Sequence, residues 1–168
     1  MTEELTDEQY CEFYWAVKRK KDLAQQFGFG TGGALGSKFT ESLCRYLYNL
    51  NTCEGSEFDA LDGDKNVEIK ATQSRNGTTS INMNVNFDIL FWMHFDIDSD
   101  KLIIRKINGD IFREAYKKHY PSLLTTDSRV TVTLNKICKD LTIEEAIKEE
   151  IYKFEKDTIS IRKLEVSS

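Results

Sequence analysis

The chain has 168 residues, of which 40% are hydrophobic and 30% charged, and a formal net charge of −5. That length and balance predict one soluble globular domain with a core of its own. They argue against a nucleic-acid-coating protein, which needs a strong basic excess, and no apolar run reaches the roughly 18 residues of a membrane span.

The N-terminal segment is acidic (Glu3, Glu4, Asp7, Glu8), the wrong flank for a secretory signal. The four cysteines, Cys11, Cys44, Cys53 and Cys138, show no C-x-x-C spacing. Free thiols in a reducing, cytoplasmic setting are the expectation.

Residues 6–27 read as an amphipathic helix, with Tyr10, Phe13, Tyr14 and Val17 at helical spacing, then Leu23 and Phe27. Lys18-Arg19-Lys20-Lys21 interrupts that stripe as a solvated or phosphate-contacting face. The glycine-rich stretch Gly28–Gly36 follows a helix and lacks the Gly-Lys-Ser/Thr ending of a phosphate loop, so it reads as a connector. Ser37 is the predicted N-cap of a second helix over about 38–50, with Phe39, Leu43, Leu47 and Leu50 on one face and Glu41 off it.

The most informative segment is Phe58–Gln73. Gly63-Asp64 is a favoured two-residue hairpin turn. If it closes a hairpin, residues whose numbers sum to 127 face each other, so Asp59 faces Glu68. Side chains alternate along a strand, so Lys70 shares a face with Glu68, and Val67 and Ile69 point into a core. Glu68-Ile69-Lys70 is the chain's one acid-x-Lys triplet. Two carboxylates suit a hard cation such as Mg²⁺, which keeps several waters and leaves room for a phosphate oxygen. The lysine can orient an attacking water or stabilise charge on phosphorus.

Ser74–Asn86 follows, rich in Asn, Ser and Thr, with Asn82, Asn84 and Asn86 alternating as one face of a strand presents them. Arg75, Asn76, Thr78, Ser80, Asn82 and Asn84 are of types that read base edges; the alternative is a polar loop of side-chain-to-backbone turns. Phe87–Phe95 is a buried central strand, with His94 as a core residue rather than a base. Asp96–Asp100 is a turn, since its sixth and twelfth positions are Lys101 and Ile107 and not the Gly and acid of a calcium loop. A strand over Lys101–Lys106, a helix over Asp110–His119 before Pro121, a strand over Arg129–Leu134, and a helix over Leu141–Glu155 come next. The tail Ile159–Val166 reads as an edge strand or dimer contact. This order gives an α/β protein with a central mixed sheet and helices on its faces. Arg105, Arg129, Lys136 and Lys139 stand as unranked phosphate contacts.

The Asp59…Glu68-Ile69-Lys70 arrangement resembles the PD-(D/E)XK nuclease superfamily, and within it the small homodimeric type II restriction endonucleases. The resemblance covers about Glu41 to Lys106; Phe58 stands where many members have Pro. It implies the three-layer α/β/α restriction-endonuclease-like fold. It also implies Asp59, Glu68 and the Ile69 carbonyl as Mg²⁺ ligands, Lys70 as catalytic lysine, and Glu41 as a supporting acid. The whole chain, 1–168, is then one nuclease domain. Residues 1–36 form a dimerisation or DNA arm, and residues 37–168 form the catalytic core with its recognition elements. The implied partners are double-stranded DNA, a second copy of the chain and, functionally, a cognate DNA methyltransferase, with no membrane. Alternative readings are a repair nickase or junction resolvase of the same fold, or a non-catalytic DNA-binding domain.

Overall fold

The computed structural model describes residues 4–28, 34–55, 57–121, 129–141 and 146–165. The hairpin forms in the register its turn dictates. Strands β1 (Ala60–Asp62) and β2 (Lys65–Thr72) pair antiparallel, Ala60 opposite Val67 and Asp62 opposite Lys65. Gly63 takes a φ of +62°, which the turn requires and a side chain would resist.

The hairpin is one edge of a six-stranded sheet that also contains β4 (Ile89–Asp96), β5 (Lys101–Asn108), β7 (Ile147–Glu155) and β8 (Ser160–Leu164). The order is β1-β2-β4-β5-β7-β8. Only β2 and β4 pair in parallel, so the sheet is mixed. The parallel β2–β4 crossover accommodates β3 (Thr78–Ile81), which pairs with β6 (Val130–Thr133) in a separate two-stranded ribbon.

Helices cover both faces, giving an α/β fold of three layers. Helices α1 (Asp7–Gln26) and α2 (Ser37–Tyr48) lie on one face, where Tyr10, Tyr14, Leu43 and Cys44 join Val67, Ile69, Phe91, Met93, Ile104 and Phe154 in a core. The Tyr14 ring stacks on Phe154 at 3.9 Å, and the Tyr10 hydroxyl bonds Ser42 Oγ at 2.8 Å, fixing α1 to sheet and neighbour alike. A capping box between Thr6 and Gln9 starts α1. On the other face, Leu90, Trp92 and Ile107 meet Phe112 and Tyr116 of α3 (Gly109–His119), Leu134 and Ile137 of α4 (Leu134–Cys138), and the ribbon's Ile81, Val130 and Val132. Asn108 caps α3, its side chain accepting from the Asp110 and Ile111 amides.

Three sequence expectations are corrected. Residues 147–155 are strand β7, not the end of a helix; positions 142–145 of that predicted helix lie outside the described residues. Spacing at 147, 151 and 154 mimics a helix, but β5 has a free edge to pair, and pairing with β7 buries Tyr152 and Phe154 together. Residues 82–86 turn instead of extending: the Asn82 side chain accepts from the Asn84 amide at 3.0 Å and its carbonyl from Val85 at 3.3 Å. Ser37 is the first residue of α2 and not its cap; Gly36 occupies that place without a side-chain bond. Positions 29–33 of the glycine-rich stretch lie outside the described residues.

Candidate active site

The Asp59 amide donates to the Val67 carbonyl at 3.1 Å, which holds Asp59 beside the strand just before β1 begins. Its Oδ2 accepts the Ile69 amide at 2.8 Å. This bond replaces the ladder contact that β1 is too short to give. N–H and C=O of one strand residue point to the same edge, so the Ile69 carbonyl is turned towards Asp59 as well.

Glu68 and Lys70 project together from the opposite face to Val67 and Ile69. Lys70 Nζ stands 2.6 Å from Glu68 Oε1, both side chains nearly buried. Glu68 as a residue is 7% exposed. Burial raises its carboxyl above the ordinary range; the Lys70 contact pulls it back, Asp59 pushes it up, and Arg129 lowers it. Glu41 of α2 is raised too, by burial first and then by Asp59.

These groups open into one cleft of about 640 Å³ between the start of α2, the hairpin and the β3–β6 ribbon. Of the residues singled out from sequence, Glu41, Asp59, Glu68, Ile69, Lys70, Ser80, Asn82 and Arg129 line it. Arg75, Asn76, Thr78 and Asn84 do not. The Asn76 carbonyl accepts the Asn135 amide at 3.1 Å, and Thr78 pairs with Thr133. His94 is half-buried away from the cleft, its ring against Trp92, and burial lowers its pKa.

Several lining residues escaped the sequence reading, among them the polar Glu57 and Thr79. Glu57 lies two positions before Asp59, and extending the same alternation one step back would have found it. Thr79 alternates with Thr78 and Ser80 on the ribbon, and only the fold shows which of its sides meets the cleft.

The cleft therefore holds four acids, Glu41, Glu57, Asp59 and Glu68, against two cations, Lys70 and Arg129. The formal excess of two negative charges equals one divalent cation. Among the described residues no three His, Cys, Asp or Glu side chains converge as a closed cage. Two carboxylates beside a backbone carbonyl are a donor set that would suit magnesium, which keeps several waters, better than zinc.

Residues 4–122 match a family described as Bsp6I restriction endonuclease. The chain belongs to the Bsp6I restriction endonuclease family. The Bsp6I match runs from α1 through α3 and so contains Asp59, Glu68 and Lys70, whereas β6, α4, β7 and β8 lie beyond it. No curated protein matches the chain.

Proposed function

We propose that the protein is a Mg²⁺-dependent, site-specific endonuclease of a type II restriction–modification system, with a PD-(D/E)XK active site made by Asp59, Glu68 and Lys70. One observation carries this reading. A hairpin brings two carboxylates and a lysine into a single cleft, with Asp59 bonded to the Ile69 amide at 2.8 Å and Lys70 to Glu68 at 2.6 Å. Membership of a restriction endonuclease family supports it.

Asp59, Glu68 and the Ile69 carbonyl hold the cation. Bound there, Mg²⁺ lowers the pKa of water and neutralises charge on the phosphate. Asp59 is oriented by the Ile69 amide, so its second oxygen is the one offered to the cleft. Lys70 keeps its ammonium beside Glu68, where it can hold the attacking water or meet the charge that grows on phosphorus. Attack in line with the 3′ oxygen leaves 5′-phosphate and 3′-hydroxyl ends. Glu41 supports the carboxylates from α2.

Ser80 and Asn82, at the ribbon's end of the cleft, are placed to meet the strand being cut, and Arg75, Asn76, Thr78 and Asn84 extend that element away from it as base-reading candidates. The chain acts as one nuclease domain. Cutting both strands of a duplex takes two such sites, so the working form is a homodimer on a near-palindromic sequence. It operates in the cytoplasm alongside a methyltransferase that protects host DNA.

Incubation with unmethylated phage DNA tests the reading. Discrete fragments that need Mg²⁺ and vanish with Lys70→Ala or EDTA are expected. Nicked circles would replace it with a nickase, and a failure to cut any of several DNAs would leave a binding domain.

A further inference from the structure

Lys70 is committed to Glu68, and the cleft's acids repel DNA. A phosphodiester entering here therefore needs a second cation that is free to bond it. Four basic residues outside the catalytic strand offer themselves in the sequence, and their surroundings separate them. Arg105 is engaged, its Nε 2.8 Å from Glu149 and its guanidinium 4.3 Å from the Trp92 ring centroid. Lys136 sits over Tyr120 at 5.2 Å. Lys139 closes α4 and does not line the cleft. Arg129 does line it, at the residue before β6 begins. It is exposed and makes no ion pair among the described residues.

The position has a further consequence. Arg129 immediately precedes the strand that pairs with β3, the strand carrying Thr79 and Ser80 into the same cleft. The register puts Ile81 opposite Val130, so the arginine emerges beside the end of β3, close to Asn82. The ribbon thus forms the wall facing Asp59, Glu68 and Lys70, and among the described residues Arg129 is the one cation that lines the cleft on that wall.

From this geometry we infer that Arg129 is a backbone-phosphate clamp, holding a DNA phosphate against the catalytic hairpin from the ribbon side. A guanidinium presents a planar fork to two phosphate oxygens, which a lysine cannot reproduce. The contact is to phosphate and not to a base edge because the facing wall is the phosphate-cleaving one. It rests on the nuclease reading above, and it adds a residue outside the region shared with the Bsp6I family.

The test is fluorescence anisotropy of a labelled duplex with Ca²⁺ in place of Mg²⁺, comparing wild type, Arg129→Ala, Arg129→Lys and Lys70→Ala over a range of salt. Because Arg129 is exposed, circular dichroism and melting of the two Arg129 variants should be unchanged. Arg129→Ala is expected to weaken binding by about tenfold, the worth of a charge-assisted contact. The loss should be equal for duplexes of different sequence, and the slope of log affinity against log salt should shrink by about one. Arg129→Lys should keep the slope and lose only part of the affinity. A loss confined to duplexes bearing one particular base would make Arg129 a base reader and overturn the proposal. So would unchanged binding and cleavage in Arg129→Ala while Lys70→Ala still abolishes cutting, and in that case the nuclease reading would stand. Absence of DNA binding and cutting by the wild type would instead remove both.

Discussion

Burial raises the carboxyl groups of Glu68 and Glu41, Lys70 pulls Glu68 back, and Asp59 pushes both up. Each acid therefore binds its proton more tightly in the folded chain than in the unfolded one, where the value is near 4.5. Their effect on stability follows by linkage: the folded state is favoured while they are protonated, and that advantage is lost as pH rises from 4.5 through the raised folded values. Asp96 and Glu150 are lowered and act in the opposite sense, losing stability as pH falls. Single substitutions isolate the two effects. In EDTA, Glu41→Gln is expected to melt higher than wild type at neutral pH and to flatten the decline above pH 4.5, as followed by calorimetry. Lys70→Ala should steepen it, since Glu68 loses the charge that holds its carboxyl down. A neutral-pH melting temperature for Glu41→Gln at or below wild type would mean that the acid is not strained in the cleft. Saturating magnesium should reverse the wild-type deficit, by about 2.7 kcal/mol at a hundredfold excess over Kd.

Elements whose geometry is local were legible in the sequence, and those that depend on a distant partner were not. The hairpin needed only a turn and alternation, so counting from Gly63-Asp64 gave the observed pairing of Ala60 with Val67 and brought Asp59, Glu68 and Lys70 together. Strands β4 and β5, helix α3 and the edge strand β8 announced themselves by apolar runs or periodicity. Strand β7 did not, because its conformation is decided by β5, far away in sequence. Asn82 turned the chain by bonding its own backbone, a competition that alternation cannot reveal. The cleft's far wall was invisible for the same reason: β3 and β6 are separated by three elements of the main sheet and its helices, and only their pairing brings Arg129 near Glu68. Two variants test these elements. Phe154 is buried between Tyr14 and Phe95. Phe154→Ala is expected to cost about 3–5 kcal/mol in urea denaturation, and a loss below ~1 kcal/mol would mean that β7 is not where it is placed. Gly77 holds a φ of +65°, and an added Cβ would lie 2.2 Å from the Trp92 ring. Gly77→Ala should therefore push the ribbon off the sheet, costing about 1–3 kcal/mol. Its cutting rate should fall by more than its melting temperature explains, because Ser80 and Arg129 move with the ribbon.

At the scale of the whole molecule, the proposed cutting of both strands calls for a second chain, and the net charge calls for a local change of field. Helix α1 spends Tyr10 and Tyr14 on the core and leaves Phe13 47% exposed, with Leu5 at 40% and Tyr46 of α2 at 39%. An apolar strip of that kind fits a second copy, so light scattering should report twice the 19.4 kDa of one chain. Phe13→Glu should return the mass to one chain, and an unchanged mass in that variant would move the interface elsewhere. The net charge of −5 sets a harder condition, because a polyanion approaches an acidic protein only where the field has been reversed locally. On the proposed reading a divalent ion supplies that reversal in the cleft, where four acids outnumber two cations. Metal and DNA must then be coupled ligands, each tightening the other by the same factor. The Lys70→Ala variant, expected not to cut, allows the coupling to be read at equilibrium. Its affinity for a duplex is expected to rise on the order of tenfold when Mg²⁺ replaces an equal ionic strength of NaCl, although added salt alone weakens phosphate contacts. Calorimetry should show DNA tightening the metal by the matching factor. If Mg²⁺ instead lowers DNA affinity as NaCl does, the carboxylates are not a metal site, and the excess charge in the cleft belongs to an interface that repels DNA.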